Sequence, residues 1–281
     1  LRTEHSILNS TNPNQNIRAE SLNLVAGGGI GSVERFLKIG LDPTGRLTAQ
    51  ASGDIYINSP VRRLNTGAIT GGGNITLFGG DSVHVGSTAG GIYTLLGKVT
   101  IDARTSILSL DEDAQAGIRA QDIYLETQSG SIGAKDNDLR IDIQGQGEFA
   151  ADAPGGIYIT EIAGELNVDS ATSSAGDVSL TALAGNVNLE TATAQGGVTV
   201  EARTGDTNLN NVTAQTGDIV VTAHRDAVVN TITAQAGDID LTAVTGDVTL
   251  GTATTQGGDV GLAAEGHVTA TTIAAQGSVD V

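Results

Sequence analysis

Apolar and polar residues alternate with period two along most of the chain, a pattern that predicts short β-strands and no helix. In Gly176–Ala182 (GDVSLTA), Val178, Leu180 and Ala182 share one face while Ser179 and Thr181 share the other. Two more short strands are predicted before the next glycine turn, at Asn186-Val187-Asn188-Leu189 and Thr191-Ala192-Thr193-Ala194-Gln195. The pattern then starts again. Its first β-branched residue is Ile157, Val178, Val198, Ile219, Ile239, Val260 and Val279, with steps of 21, 20, 21, 20, 21 and 19 residues. A fixed step of this size predicts stacked coils. Nothing between the strands is long enough for a crossover helix, so the strands must pair coil on coil, in parallel. The expected fold is all-β, a right-handed parallel β-helix (solenoid) of roughly 14 coils of about 20 residues.

Equivalent inward positions should form ladders in which each side chain packs on its counterpart one coil away. One ladder is Val178, Val198, Ile219, Ile239 and Val260. A second is Leu180, Val200, Val221, Leu241 and Leu262, and a third is Ala192, Val212, Ile232, Ala253 and Ile273. Each buried aliphatic is worth about 1.5–3 kcal/mol.

Residues 161–281 carry the regular coils. Residues 21–160 are related but looser, with loops expected near 32–36, 59–66 and 134–138. There, Gly28-Gly29-Ile30-Gly31 and Leu37-Lys38-Ile39 return as Gly130-Ser131-Ile132-Gly133 and Leu139-Arg140-Ile141. Ser52–Ile57 likewise returns as Pro154–Ile159, always at an offset of 102 residues, which reads as a duplication of about five coils. Residues 1–20 are polar and poorly periodic, as expected of an irregular entry coil or linker.

Composition narrows the picture. Aromatic residues make up only 2% of the chain, and Cys, Met and Trp are absent. A narrow interior lined by Val, Ile, Leu and Ala needs no larger fillers. The 39 glycines suit tight turns, and the 4 prolines suit strands that must donate to neighbours on both sides. A net charge of −18 argues against nucleic acid and anionic membranes as partners. The lack of Cys excludes disulfides and thiolate metal sites. No apolar run is long enough to span a membrane as a helix. The chain begins without Met and its last residues, Ser278–Val281, begin another coil, so it reads as a fragment of a longer protein.

Four recurring polar features invite a functional reading. An Asp follows the corner glycine at Asp177, Asp218, Asp238 and Asp259, and earlier at Asp54, while Gly197 interrupts the row. Stacked carboxylates make calcium the candidate ion, against an Asx-type corner turn as the structural alternative. Gln195, Gln215, Gln235, Gln256 and Gln276 close successive coils, where stacked amides would bond along the axis. Thr191/Thr193, Thr231/Thr233 and Thr252/Thr254 would line one outward face, as in ice-binding arrays, although Asn211 and Ala274 interrupt it. All four tyrosines, Tyr56, Tyr93, Tyr124 and Tyr158, follow an Ile and point outward, where a ring can stack on a sugar. In one coil His224-Arg225-Asp226 replaces the usual corner glycine and reads as surface decoration. A polysaccharide lyase or hydrolase would need long loops and clustered charges on one face. The regular coils lack such loops and the chain has only three lysines, Lys38, Lys98 and Lys135, so no enzymatic activity and no cofactor is expected.

The units GDIYI (53–57), GDVSLTALAGNVNL (176–189), GDIDLTAVTGDVTL (237–250) and GGGIGS (27–32) followed by Leu37-Lys38-Ile39 give the chain a family resemblance. Over residues 20–281 it resembles the shaft of filamentous-haemagglutinin-type adhesins, Gram-negative exoproteins of two-partner secretion. Asn12-Pro13-Asn14-Gln15 is similar to the Asn-Pro-Asn tripeptide of that family's secretion domain. The resemblance implies an extracellular or outer-surface location in a Gram-negative bacterium. It also implies export through an outer-membrane two-partner transporter, and a structural role projecting binding regions from the cell, with exopolysaccharide or a host or neighbouring cell surface as further partners. The alternative reading is a polysaccharide-binding β-helix module.

Overall fold

The computed structural model describes residues 1–9, 17–88, 90–111 and 114–281. Among them there is no helix, and the strands pair in parallel from coil to coil, giving a β-solenoid. The chain divides into two compact units, Leu1–Gly147 and Glu148–Val281.

In the second unit each complete coil contributes two strands, one to each of two sheets. The five-residue strands Val178–Ala182, Val198–Ala202, Ile219–Ala223, Ile239–Ala243 and Val260–Ala264 stack in the first sheet. The eight-residue strands Leu166–Ser173, Val187–Ala194, Thr207–Ala214, Ala227–Ala234 and Val248–Thr255 stack in the second. The expected second and third strands of each coil are therefore one continuous strand. In Val187–Ala194 the inward–outward alternation breaks once, where Glu190 and Thr191 both stay outside the core. The ladder skips Glu190 and resumes, pairing Leu189 with Leu209 and Thr191 with Asn211. The strand bends its inner face around a corner while keeping its pairing. In the sequence that phase slip looks like a strand end.

The coil steps follow from the pairing register. Val178, Val198, Ile219, Ile239 and Val260 are direct partners in successive strands and are all buried. So are Leu180, Val200, Val221, Leu241 and Leu262. Ala192, Val212, Ile232 and Ala253 form the third ladder, and Ile273 joins it half-buried. Several polar residues sit among the aliphatics, Glu161, Ser173 and Thr255 among them, and one more is unpartnered. Thr207 is fully buried between Val187 and Ala227, and its hydroxyl has no hydrogen-bond partner.

The first unit also has two main sheets. One contains Leu22–Ala26, Arg46–Ala51, Leu64–Gly71, Ile92–Thr94, Ile118–Ala120 and Leu139–Ile143. The other contains Ile17–Ala19, Leu37–Leu41, Ile55–Ser59, Ile75–Gly79, Lys98–Ala103 and Asp122–Thr127. The entry segment is not a free linker: Arg2–Thr3 pairs with Val25–Ala26, and Ile17–Ala19 with Ile39–Leu41. A third strand appears only here. Val83–Val85 pairs with the start of Leu64–Gly71 and with Ile107–Ser109, which lengthens those coils.

This insertion changes the meaning of the 102-residue duplication. Gly31 and Gly133 adopt the same left-handed conformation, φ 68° and 69°, and precede matching tight loops closed by Ser32–Arg35 and Ala134–Asn137 bridges. Gly31 has no room for a side chain, since a Cβ there would collide with the Tyr56 carbonyl. The strands that follow lie in different sheets, Leu37–Leu41 in one and Leu139–Ile143 in the other. The offset therefore spans four and a half coils and not five, because the three-strand coils consume extra residues.

Two substitutions test the inward assignments. Ile239→Asp places an unpaired charge in the core and should cost about 3–5 kcal/mol, whereas Ile239→Val should cost about 1 kcal/mol. Denaturant unfolding followed by circular dichroism distinguishes them; equal midpoints would show that Ile239 does not face inward. Thr207→Val removes the unpartnered hydroxyl at constant shape and should stabilise the second unit by about 1 kcal/mol, read from the same midpoint.

Candidate functional site

Two kinds of feature stand out from the repeating scaffold. One is a pair of axial columns of carboxylates and amides at the coil corners of the second unit. The other is an aromatic face on the first unit.

The corner aspartates form the first column, and their bonds run between coils. Asp177 Oδ1 accepts from Gly197 N at 2.9 Å. Asp218 Oδ1 accepts from Asp238 N at 2.9 Å, Asp238 Oδ1 from Asp259 N at 2.8 Å, and Asp259 Oδ1 from Ser278 N at 2.6 Å. Asp54 does the same in the first unit, accepting from Asn74 N at 2.8 Å. The expected local Asx turn is therefore corrected, since each acceptor reaches a backbone N–H some twenty residues away. At the corner the strand ladder is interrupted, and the carboxylate supplies the acceptor that the neighbouring coil's N–H needs. Gly197 has no side chain, so the column skips one step there. Among the described residues no group of three or more His, Cys, Asp or Glu is placed to hold a metal ion. Calcium therefore gains no ligand set from Asp177, Asp218, Asp238 and Asp259.

A second column at the opposite corner was missed in the sequence. Asn186 Oδ1 accepts from Asp206 N, Asp206 Oδ1 from Asp226 N, Asp226 Oδ1 from Asp247 N, and Asp247 Oδ1 from His267 N, at 2.7–3.1 Å. The same period of 20 or 21 residues was its signal, hidden because Asn and His share the column with Asp. Arg225, in the coil that lacks a corner glycine, reaches back to Asp206 Oδ2 at 3.0 Å and Asn186 Oδ1 at 3.1 Å. It therefore ties three coils together.

The glutamine column has no such role. Among the described residues no side-chain amide ladder links Gln195, Gln215, Gln235, Gln256 and Gln276. The axial amide bonds run through asparagines: Asn188 Nδ2 donates to Asn167 Oδ1, Asn208 Nδ2 to Asn188 Oδ1, and Asn230 Nδ2 to Asn210 Oδ1, each at 2.8 Å. Asparagine has the shorter reach and sits on a paired strand, so successive amides are held one strand spacing apart. The glutamines sit at the turns. The threonines fall into two outward columns, Thr191–Asn211–Thr231–Thr252 and Thr193–Thr213–Thr233–Thr254.

Charge is unequally shared between the units. Residues 1–147 hold 12 basic and 15 acidic residues, net −3, and residues 148–281 hold 2 and 17, net −15. In the second unit, Asp240 has its carboxyl pushed above the ordinary value of 3.8, first by burial and then by the charges of Asp238 and Asp218.

The tyrosines separate by sheet. Tyr93 is in the Ile92–Thr94 strand of the first unit's first sheet, paired with Thr70 and Arg119. Tyr158 is in the second unit, paired with Ser179. Tyr56 and Tyr124 share one column on the first unit's other sheet, as Tyr56–Thr76–Thr100–Tyr124. The adjoining column is Lys38–Asn58–Phe78–Asp102–Glu126. Phe36 packs edge-on against Tyr56 with ring centroids 5.6 Å apart. Lys98 Nζ lies 5.1 Å from the Tyr124 ring centre. Four of the seven Phe and Tyr residues, and two of the three lysines, thus gather on one flat face. Burial, then the neighbouring Asp54 charge, raises the Tyr56 phenol above its usual range. Burial, then Glu126, raises the Asp102 carboxyl. The grouping was invisible in the sequence because Phe36, Tyr56, Phe78 and Tyr124 belong to different coils, and only Lys98 and Asp102 share a strand.

A model of the Toastrack DUF4097 family matches residues 47–280. No curated protein and no solved structure gives a match. Asn12-Pro13-Asn14-Gln15 lies outside the described residues.

Asp238→Ala should cost about 1 kcal/mol by stranding the Asp259 N–H, whereas Asp238→Asn keeps an acceptor and should be close to neutral. Equal midpoints for the two variants would refute the axial bond. Asp240 gives a pH test. Its folded-state pKa is raised, so the fold holds that proton more tightly than the unfolded chain does. Stability therefore falls as pH rises from 3.8 through the folded value. Asp240→Asn should raise Tm at neutral pH, and the difference should vanish below about pH 3.8, as scanning calorimetry would show.

Proposed function

The chain belongs to the Toastrack DUF4097 family, and we propose that it acts as a structural shaft segment of a secreted bacterial surface or biofilm-matrix adhesin, projecting binding regions from the cell. The observation that carries this reading is where the repeated polar residues go. Asp177, Asp218, Asp238 and Asp259 at one corner, and Asn186, Asp206, Asp226 and Asp247 at the other, each bond the backbone of the next coil. Residues that recur because they join coils serve length and stiffness. A stack in which each coil packs chiefly on its neighbours gains stability with every coil added. The strong negative charge of the second unit keeps neighbouring copies apart and soluble.

The route and place follow from the same reading. Such a chain would leave a Gram-negative cell unfolded, through a two-partner outer-membrane transporter. It would then fold coil on coil at the outer surface, where the absence of cysteine costs nothing. No chemistry is assigned to it, and no enzymatic activity is proposed.

A second reading, a polysaccharide-binding β-helix module, is favoured by one observation, the aromatic face of the first unit. The two readings are compatible if the regular coils of the second unit act as spacer. Deleting residues 198–238 removes two coils and rejoins Gly197 to Ile239 in phase with the ladder. The spacer reading expects this deletion to leave the parent protein folded, secreted and adhesive in a cell-attachment assay. Loss of adhesion by a folded, secreted deletion protein would overturn it.

A further inference from the structure

We propose that the outward face of the first unit built from Tyr56, Phe78, Lys98, Asp102 and Tyr124 binds a neutral, hydroxyl-rich polysaccharide laid along the coil axis. This inference rests on the polysaccharide-binding reading and specifies its site and ligand class. The chain has seven Phe and Tyr residues, and this face holds Phe36, Tyr56, Phe78 and Tyr124. These rings are partly exposed on an outward sheet face, and their faces suit the C–H faces of sugars.

The layout suits a polymer. Tyr56 and Tyr124 are three coils apart in one column, about 14 Å at the spacing of parallel strands. Between them stand only Thr76 and Thr100, short side chains that leave a trough with a ring at either end. Phe78 and Asp102 border one side of the trough, and Lys98 and Asp122 are paired along the other. A flat sheet encloses no small molecule but can take successive units of a chain.

Charge selects the class of polymer. Asp54, Asp102, Asp122 and Glu126 surround the rings, against Lys38 and Lys98, so an anionic glycan meets net repulsion. A neutral glycan meets acceptors for its hydroxyl donors. Two of these acceptors flank Phe78 with no donor of their own: Asn58 Oδ1 and Asp102 Oδ1. Both are shielded from solvent, directly beneath the outward face. Tyr93 and Tyr158 lie outside this sheet face and serve as internal controls.

Affinity electrophoresis of the whole chain in gels containing a soluble neutral β-glucan, or alginate, tests the proposal. The expected result is retardation by the glucan and none by alginate. Tyr124→Ala and Tyr56→Ala should each weaken retardation about tenfold, Tyr124→Phe should keep most of it, and Tyr93→Ala and Tyr158→Ala should leave it unchanged. Unfolding midpoints equal to the wild type exclude a folding defect in any variant. If the glucan retards the protein but Tyr93→Ala or Tyr158→Ala abolishes this and Tyr56→Ala and Tyr124→Ala do not, the site is wrong while the polysaccharide reading stands. Retardation by alginate alone would overturn the neutral ligand class. No retardation by either polymer would overturn both the site and the reading it rests on.

Discussion

A backbone N–H of one coil meets a carbonyl of the next along both sheets of each unit, and this in-register parallel pairing governs everything else. Because partners must face each other, each coil of the second unit has to return to the same position after 19–21 residues. Register then decides burial, since a one-residue slip would turn every inward aliphatic to solvent. It also decides chemistry. Any residue type repeated with the coil period becomes a column of like side chains about 4.8 Å apart.

Columns of like side chains are harmless for Val or Ile and hazardous for Asp. Stacked carboxylates repel, and at Asp240 the charges of Asp238 and Asp218 add to burial, the larger cause, in raising its pKa. The corner aspartates offset that repulsion by accepting a backbone N–H from the next coil, a donor that the break in the ladder would otherwise leave to water. Where asparagine takes the column, as at Asn188 and Asn208, the amides bond one another and no charge accumulates. Arg225, one of only two basic residues in the second unit, sits where it relieves Asp206. A highly acidic stack is therefore consistent with a well-joined one.

The first unit follows the same rule with less regularity and more chemical variety. Its third strands at Val83–Val85 and Ile107–Ser109 lengthen some coils, and its outward columns mix Lys, Tyr, Phe, Asn and Asp. Columns of unlike side chains are where a solenoid can hold a recognition surface, because a recognition surface needs several chemistries side by side. The uniform columns of the second unit are better suited to carrying length.

The period of the aliphatic residues was enough to fix the fold class, the ladders Val178–Val260 and Leu180–Leu262, and the parallel pairing, because period-two alternation and a fixed coil step leave no other way to bury those faces. The sequence misled where pairing and alternation part company. The bend at Glu190–Thr191 looked like a strand end, and the 102-residue duplication looked like whole coils until the third strands were placed. The roles of recurring polar residues were not legible either. Gln195 recurs more regularly than Asp177, whose row Gly197 breaks, but the Asp carboxylate sits within reach of the next coil's N–H and the Gln at a turn. Only the tertiary structure brought Tyr56, Phe78, Tyr124 and the strand carrying Lys98 and Asp102 onto one face, since strands twenty or more positions apart become neighbours solely through the stacking of the coils.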